Sequence, residues 1–460
     1  MPAAPDAAAR HKTETILTVE ESIYNHLSGG EKRRQMSEPG TSTETMADVA
    51  IVGGGMVGMT LAAALGSAGL AVVIVDAEAP AAMTAAPFDG RSSAIAFGSQ
   101  QVLTGVGAWD GMAALAQPIL DIRVSDGDGT GGTSRLFLHY DHRALAETEG
   151  GSAAPFGHIV ENRVIRTSLL RRLGELPTVR HRAPARVAGI TRNKGGIALR
   201  LADGSSIAAR VAVAADGRKS PLRAAAGIKV TEWAYPQTGI VCTVAHEKPH
   251  GGVAHEHFLP AGPFAMLPMV DDGGMHRSSI VWTERRALAP RILALDDAGF
   301  AAEMERRFGL SLGRLRPIGG RWSHPLELVH AERYVDRRLA LLGDAAHAIH
   351  PIAGQGLNLG LRDVAALAEA IVDARRLGLD IGDALVLDRY QRWRRFDNLV
   401  LMAVTDGLNR LFSNDLGPLR LARDLGLAAV NRLPPLKRLF MRHAMGMVGE
   451  LPRLVRGERL

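Results

Sequence analysis

The stretch that decides the fold runs from residue 48 to residue 76 and reads DVAIVGGGMVGMTLAAALGSAGLAVVIVD. A short apolar run leads into three glycines with the spacing Gly53-x-Gly55-x-x-Gly58. A helical pattern follows, and a second apolar run ends at Asp76. This order of elements predicts a βαβ unit of about thirty residues.

Each glycine of this motif has a physical reason in a dinucleotide-binding turn. The first permits the tight turn, the second lets a pyrophosphate approach the backbone, and the third lets the helix pack on the strand. The helix N-terminus supplies amide donors, and Asp76 is placed to accept hydrogen bonds from a ribose diol. The unit therefore predicts dinucleotide binding, although the motif alone does not separate FAD from a nicotinamide nucleotide.

The length and cysteine usage limit the class of protein. A chain of 460 residues, 46% of them apolar, has room for two or three domains. The sequence contains no uninterrupted run of about 18 apolar residues, so it predicts no membrane-spanning helix. The single cysteine, Cys242, excludes an intrachain disulfide and a cysteine metal site and fits a reducing, cytosol-like compartment. We expect Cys242 to be a small buried apolar residue.

The net charge of +6 is concentrated at the C-terminus. Residues 407–460 hold ten Lys and Arg and four Asp and Glu, a net of +6 that equals the excess of the whole chain. Only 5% of residues are aromatic, and they are not interleaved with basic residues as single-stranded nucleic acid would require. Nucleic acid is therefore not an expected partner.

The rest of the chain divides by pattern. Residues 1–46 are polar without a sustained period and predict a disordered extension. Short strands are predicted within 180–215, and an antiparallel sheet within 238–284. From residue 357 the pattern is helical almost to the end, with a break at Pro434.

Two later segments favour a flavin. VAVAADGRKSPLR at 211–223 is a strand ending at Asp216, and LALLGDAAHAIHPIAGQGLNLGLRD at 339–363 is a strand followed by glycines that open a helix. Amides at such a helix start can face the pyrimidine edge of a flavin, where negative charge accumulates on reduction, and Asp344 can bond the ribityl chain. The second segment taken alone fits equally a glycine-rich turn with a capping Asp.

The run HPIAGQGLNLGLRD at 350–363 resembles the signature of the class A flavoprotein monooxygenases related to 4-hydroxybenzoate hydroxylase. More narrowly, it resembles the ubiquinone-biosynthesis hydroxylases of the UbiH and UbiF type. The resemblance covers roughly residues 47–400. It includes DGRSSA at 89–94, Glu161-Asn162, ADG at 215–217, and Gly262-Pro263 with Leu267-Pro268.

The resemblance implies an α/β fold with a Rossmann-like FAD-binding domain of the 4-hydroxybenzoate hydroxylase kind, an inserted β-sheet substrate domain and a helical C-terminus. The implied segments are a disordered extension at 1–46, the FAD-binding domain at 47–120, 157–226 and 320–380, the substrate domain at 121–156 and 227–319, and the helical region at 381–460.

The implied activity is hydroxylation of the aromatic ring of a polyprenyl phenol in ubiquinone biosynthesis, through a flavin C4a-hydroperoxide formed from FAD and O2. The cofactor carries the chemistry, so no catalytic triad is expected. A second dinucleotide fingerprint and a redox CxxC pair are both missing from the sequence. NADPH or NADH is therefore expected as a transient co-substrate.

The resemblance also implies roles for individual residues. Gly53, Gly55 and Gly58 would face the pyrophosphate, Asp76 the adenosine ribose, and Asp344, beside Gly343, the ribityl group. The segment from Pro351 to Asn358 would line the isoalloxazine ring. It includes Gly354, Gln355, Gly356 and Leu357, with Pro351 and Gly354 beside the flavin.

Three further residues keep alternatives open. Arg91 would lie beside the flavin, or be a surface arginine in a serine-rich loop. Asn162 would contact the ribityl chain, or cap a helix. Asp216 would serve flavin and nicotinamide binding, or hold a turn.

No metal is expected. His347 and His350 lie three residues apart near Asp344, but no third ligand is evident in the sequence.

The C-terminal helices allow two interpretations. A basic amphipathic helix can lie on an anionic membrane surface or pack its apolar face on the catalytic domain. The resemblance suggests a cytoplasmic protein in peripheral contact with a bacterial inner membrane and associated with other ubiquinone-biosynthesis proteins. Competing functions are hydroxylation of a small soluble aromatic acid, a flavin-dependent reductase, and a non-catalytic flavoprotein component of a biosynthetic complex.

Overall fold

The computed structural model describes residues 44–85, 90–127, 133–144, 153–349, 354–412, 430 and 432–460. The predicted extension lies outside these residues except at its end. Residues 44–46 belong to the first strand, where they pair with Ser206, Ile207 and Ala208. The first strand therefore begins at Glu44, inside the segment predicted as an extension, because these residues pair with a distant strand.

The described residues form three sheets, and the first contains the predicted βαβ unit. Strand β1 (Glu44–Val52) lies parallel to and between β2 (Val72–Val75) and β11 (Ser206–Ala214), and helix α1 (Met56–Ser67) connects β1 to β2. Helices cover these strands, so their side chains are apolar in nearly continuous runs. The other strands of this sheet are β8 (Val179–Arg182), β9 (Val187–Arg192), β10 (Ile197–Leu201), β17 (Val335–Asp336) and β18 (Leu339–Leu341).

The second sheet is antiparallel except for one parallel pair, and it confirms the antiparallel prediction for 238–284. Its strands are β5 (Asp121–Gly127), β6 (Thr133–Asp141), β12 (Val230–His246), β13 (Val253–Leu259), β14 (Gly262–Asp272), β15 (Met275–Arg285), β16 (Leu315–Ala331) and β19 (His347–Ala348). Their order is β19-β16-β12-β15-β14-β13-β5-β6. Strand β16 passes through position 320, so the boundary predicted there falls inside a strand.

A three-stranded sheet and a set of helices complete the fold. The sheet has the order β3-β7-β4, with β3 (Ser92–Ala96), β4 (Gln117–Ile119) and β7 (Gly157–Glu161). The helices are α2 (Pro80–Thr84), α3 (Phe97–Gly105), α4 (Asn162–Gly174), α5 (Pro221–Ala225), α6 (Ala289–Leu293), α7 (Asp297–Phe308), α8 (Gln355–Arg376), α9 (Ala384–Phe412) and α10 (Pro434–Ala444). Pro434, predicted as a break, occupies the first turn of α10, where a missing amide proton costs nothing.

The apolar cores follow the sheets. The largest joins the first sheet to α1 and α8. A second core lies between the second sheet and α7, and it includes Cys242, which is buried as predicted. No helix in the described part of the chain is long and apolar enough to cross a membrane.

A network of buried charged and polar side chains joins α8 to α9. Asp363 and Arg394 are both fully buried, and Arg394 Nε donates to Asp363 Oδ1 at 2.9 Å. Asn398 Nδ2 donates to the same oxygen at 3.3 Å. The other carboxylate oxygen lies 2.5 Å from Nε2 of His347 and accepts a long bond, 3.4 Å, from the amide of Gly343. One carboxylate therefore fixes two helices and the chain after β18.

The charge of Asp363 is kept by its partners. Burial works to raise the pKa of Asp363, but His347 and Arg394 outweigh burial and hold the pKa at about 2. This pKa lies below the ordinary pKa of an aspartate. The ionised Asp363 carboxylate therefore contributes fully to the free energy of unfolding above about pH 4, and this contribution is lost as the pH falls toward 2.

We predict that Asp363→Asn destabilises the protein by about 3–5 kcal/mol, because it removes the only fully buried carboxylate that Arg394 contacts among the described residues and leaves the guanidinium with Asp397 alone. Urea unfolding at neutral pH measures the effect. Glu332→Gln, at an exposed position, is the matched control and is expected to stay within about 0.5 kcal/mol of the wild type. Equal stability of the two variants would contradict the role given to Asp363.

Candidate functional site

A groove lies where the carboxyl ends of β1, β2 and β11 meet. Its lining includes Gly53, Gly55, Asp76 and Asp216, which the sequence predicted as cofactor contacts. Carboxyl ends of parallel strands meet at one edge, so residues far apart in sequence are brought together.

The glycines at this edge are required by close approach. Gly53 has a φ of +108°, and a Cβ there would lie 2.1 Å from the carbonyl oxygen of Ala215. A Cβ on Gly58 would lie 2.0 Å from the carbonyl oxygen of Gly53. Gly55, the residue before α1, has nothing within 4 Å of its Cβ position. Gly53 and Gly58 thus hold the turn closed, while Gly55 faces open space at a helix N-terminus.

Asp76 is held at the groove by backbone amides. Its Oδ2 accepts from the amide of Gly54, and its Oδ1 accepts from the amide of Glu78 at 2.7 Å. The carboxylate therefore has a fixed orientation and retains further lone pairs for a ligand.

His181 was not singled out in the sequence. It lies on β8 opposite Ile74 of β2, and its Nε2 is buried without a hydrogen-bond partner among the described residues. The same nitrogen would lie 3.0 Å from a Cβ on Gly54. Burial lowers the pKa of His181, and nearby Asp76 opposes that shift. A buried nitrogen without a partner beside the nucleotide groove fits a ligand atom.

Asp216 supports a turn and also lines the groove. Its Oδ2 accepts from the amide of Leu222 at 3.2 Å and so supports the start of α5. Its Oδ1 is buried without a partner among the described residues, and burial raises the pKa of the group. The bond to Leu222 supports the turn alternative, and the cofactor-binding role stays a prediction.

Gly343 and Asp344 form a short 3₁₀ turn (Gly343–Ala345) after β18. A Cβ on Gly343 would lie 3.4 Å from Val57 of α1 and 3.8 Å from the Cα of Gly360 in α8. Asp344 is exposed between buried neighbours. The turn is thus packed between two helices, and the Asp344 carboxylate is accessible to a ligand.

Helix α8 begins at the glycines predicted to face the flavin. Gly354 precedes the helix with a φ of +63°, and the Cβ position of Gly356 is open. The side chain of Asn358 is buried and used internally, since its Oδ1 accepts from the amide of Ala96 and its Nδ2 donates to the carbonyls of Ala94 and Gly354. Asn358 therefore joins the start of α8 to β3.

Some of the remaining residues predicted near this helix start belong to the described residues, and others do not. Gln355 and Leu357 lie in the first turn of α8 and are half-buried. Pro351 and His350 lie outside the described residues.

Arg91 and Asn162 lie next to each other. The amide of Asn162 donates to the carbonyl of Arg91 at 3.1 Å, and Asn162 Oδ1 accepts from Ser93 at 2.7 Å. Asn162 is the first residue of α4, and Glu161 precedes it in the cap position, so the capping alternative is wrong. The guanidinium carbon of Arg91 lies 4.7 Å from the ring centroid of Trp322, which gives this arginine a defined position.

A cavity of about 80 Å³ lies between the second sheet and the start of α8. One water needs roughly 10–15 Å³ on this measure, so the cavity has room for a small ring. Its walls are mostly apolar and are contributed by Gly354 and by residues from β3, β4, β5, β13, β14 and β15. This is an apolar chamber that meets the predicted flavin segment.

The residues present fit a dinucleotide with a flavin. The groove offers a helix N-terminus, an oriented carboxylate and two buried polar atoms without partners, and a second helix N-terminus faces the chamber. In the described residues no group of three or more His, Cys, Asp or Glu is arranged to hold a metal.

Comparison with known proteins identifies the family. The FAD binding domain model matches residues 46–396. The chain is 52% identical to the ubiquinone hydroxylase UbiL of Rhodospirillum rubrum over 95% of this chain and 99% of that protein. It is 36% identical to the 3-demethoxyubiquinol 3-hydroxylase of Escherichia coli, over 88% of this chain and all of that protein.

Solved structures agree on the fold. The p-nitrophenol 4-monooxygenase PnpA of Pseudomonas putida superposes with a TM-score of 0.71 at 21% identity, covering 88% of this chain and 99% of that one. The predicted α/β fold with several sheets and a helical C-terminus is confirmed. The chain therefore belongs to the FAD-dependent monooxygenases of the ubiquinone-hydroxylase family.

Proposed function

We propose that this protein hydroxylates the aromatic ring of a polyprenyl phenol on the way to ubiquinone, with NAD(P)H and O2 as co-substrates. The names of the similar hydroxylases support the reaction class. The mostly apolar walls of the chamber beside the start of α8 give the main structural support for a polyprenyl phenol as the substrate.

The chamber selects against an anionic substrate. Among the described residues that line it there is no Lys or Arg, and the one carboxyl group is that of Glu256. A small aromatic acid would need a cation for its carboxylate and would meet repulsion from Glu256 instead. A neutral phenol with an apolar substituent matches these walls, so hydroxylation of a soluble aromatic acid is disfavoured.

Residues of the groove would hold the FAD. The backbone from Gly53 to Gly58 would bind the pyrophosphate, Asp76 the adenosine ribose, and Asp344 the ribityl chain. Arg91 and the amides that open α8 would face the ring system, with Pro351 and Gly354 beside it. His181 and Asp216 add a buried nitrogen and a buried oxygen.

The bound flavin supplies activation of O2 for transfer of one oxygen atom to the ring, which no side chain can supply. The protein positions the phenol and keeps water away, and the apolar walls of the chamber serve both tasks. The nicotinamide nucleotide is expected to bind transiently.

We predict that Gly55→Ala leaves the folding of the apoprotein unchanged but weakens FAD binding by roughly tenfold or more. The added methyl meets no protein atom within 4 Å and occupies the space where the pyrophosphate approaches the backbone. Titration of the apoprotein with FAD, followed by flavin fluorescence, measures the effect. Gly174→Ala is the matched control, because its Cβ position is also open. Equal affinity in both variants would contradict the assignment of the groove.

We predict that the FAD-loaded protein converts a prenylated phenol to its hydroxylated product in the presence of NADPH or NADH. Mass spectrometry after reaction under ¹⁸O2 should show one labelled oxygen atom in the product. Reduction of the substrate without label would support the reductase alternative. FAD binding with no turnover of any phenol would support a non-catalytic flavoprotein.

We also propose that α9 and α10 touch a membrane surface. The inner face of α9 is fixed to the second sheet, since the hydroxyl of Tyr235 donates to Asp406 at 2.8 Å. Its outer face exposes an apolar row, and α10 adds two large apolar side chains beside Lys437, Arg438 and Arg442. The exposed members are Phe396, Leu399, Val400, Val404 and Leu411 on α9 and Leu439 and Phe440 on α10. Apolar and basic groups together favour an anionic lipid surface, where a polyprenyl phenol would reside.

We predict that the double variant Phe396→Glu with Val400→Glu lowers binding to vesicles containing phosphatidylglycerol by roughly tenfold. Co-sedimentation measures the bound fraction. Leu310→Glu is the control, because Leu310 is 59% exposed and belongs to neither helix. Unchanged binding of the double variant would contradict the membrane contact and leave the row to a protein partner, such as another ubiquinone-biosynthesis protein.

A further inference from the structure

Glu256 is a carboxyl group in an otherwise apolar wall. It lies in the middle of β13, where Ala254, Glu256 and Phe258 face the start of α8 and the three-stranded sheet. The rings of the alternate residues His255 and His257 lie against Phe308, with ring centroids 5.3 Å and 5.2 Å from it, and His255 also contributes to the chamber wall. Strand geometry therefore directs Glu256 toward the chamber.

No described residue forms a hydrogen bond or ion pair with the Glu256 carboxylate. The residues opposite it on the neighbouring strands are Val124 and Ala265. Glu256 keeps some accessible surface because it lines the chamber, yet its removal from bulk water raises its pKa to about 7. A carboxyl group without partners in an apolar wall lowers stability, and such groups concentrate at functional sites.

The other described titratable groups near the chamber do not supply a charged partner, and burial lowers the pKa of His255 to about 4, so its ring is neutral. Asp126 lies on the same face of β5 as Val124, and Tyr140 lies opposite Ile122 on β6. Burial raises the pKa of Tyr140, so it stays neutral. A negative charge on Asp126 would raise the pKa of Glu256 further rather than lower it. Within the described part of the chain no cation contacts Glu256, so a ligand hydroxyl is the fitting donor.

We propose that Glu256 is a catalytic residue that accepts the hydroxyl proton of the phenol substrate. The assignment rests on the proposed function, because it names the group that binds and activates the phenol in that reaction.

The proton transfer is balanced within the chamber. The phenol O–H bond breaks, the proton bonds to a carboxylate oxygen of Glu256, and the electron pair stays on the phenol oxygen. Delocalisation of that pair raises electron density at the ortho and para ring carbons. One of these carbons forms a C–O bond with one atom of O2 as the O–O bond breaks, the other atom leaves as water, and NAD(P)H supplies the two electrons. The ring carbon then releases its own proton to solvent, which restores the aromatic ring, and Glu256 returns its proton to the phenol oxygen.

The raised pKa of Glu256 predicts how the free energy of unfolding and the turnover rate change with pH. The protonated form suits the apolar wall, so the free energy of unfolding falls as the pH rises from the ordinary glutamate pKa through about 7. Proton acceptance needs the ionised form, so turnover rises over the same interval. Glu256→Gln should abolish both dependences, because the amide does not titrate.

The test compares the FAD-loaded wild type, Glu256→Gln and the control Glu232→Gln, an exposed acid on β12 of the same sheet. The first readout needs no turnover: 4-nitrophenol, whose anion absorbs visible light, is bound without reductant and titrated across neutral pH. In the wild type two acids share the site, so the bound probe should ionise in two coupled steps. In Glu256→Gln one step should remain, while Glu232→Gln should match the wild type.

The second readout is the pH profile of hydroxylation of a prenylated phenol. Glu256→Gln is expected to lower kcat by about 100-fold or more and to lose the rise near pH 7. If Glu256→Gln does not fold, Glu256→Asp retains the acid one methylene further from the ligand and should weaken the coupling of the probe.

Two results would overturn the assignment: identical probe titrations in the wild type and Glu256→Gln, or no binding of the probe to the wild type. A coupled titration without hydroxylation of any phenol would instead support Glu256 as the acceptor of the phenol proton and would contradict the proposed function.

Discussion

The fold depends on one buried carboxylate. Asp363 has no contact with water, and its two oxygens bond an arginine of α9, a histidine that follows β18 and the amide of Gly343. A buried charge of this kind is tolerated only when every neighbour is in place. Because Asp363 lies on α8, the geometry that satisfies it also sets the distance between the start of that helix and the turn that presents Asp344.

The two large sheets contribute to different parts of the site. The parallel sheet provides strand ends and tight turns, which suit the phosphates and ribose of a dinucleotide. The antiparallel sheet provides a broad face of alternating side chains, which suits an apolar substrate. Helix α8 connects them, since Asn358 bonds its first turn to β3 and the chamber opens at Gly354. The cofactor groove and the substrate chamber are thus positioned by the same helix.

The sequence predicts most of the elements that are determined by residues close together in the chain. The strand, turn and helix around Gly53, Gly55 and Gly58 follow from spacing within thirty residues, and so does the glycine start of α8. His181 and Glu256 could not be found this way, because each matters through strands that pair with it from distant parts of the chain. The division predicted at residue 320 fails to match an element for a similar reason. Strand β16 pairs with β12 on both sides of a register irregularity at Gly319 and Gly320, so the strand continues through that position. The residue roles and the domain segments stay predictions.

The burial of Cys242 has a practical consequence. It is the only cysteine of the chain, and burial raises the pKa of its thiol to about 12. The thiolate is the reactive form, so this side chain is inert toward alkylating reagents at neutral pH. A cysteine introduced at any exposed position would therefore be the single reactive thiol. A spin label or fluorophore could report on the helical C-terminus or on the chamber without removal of the native residue.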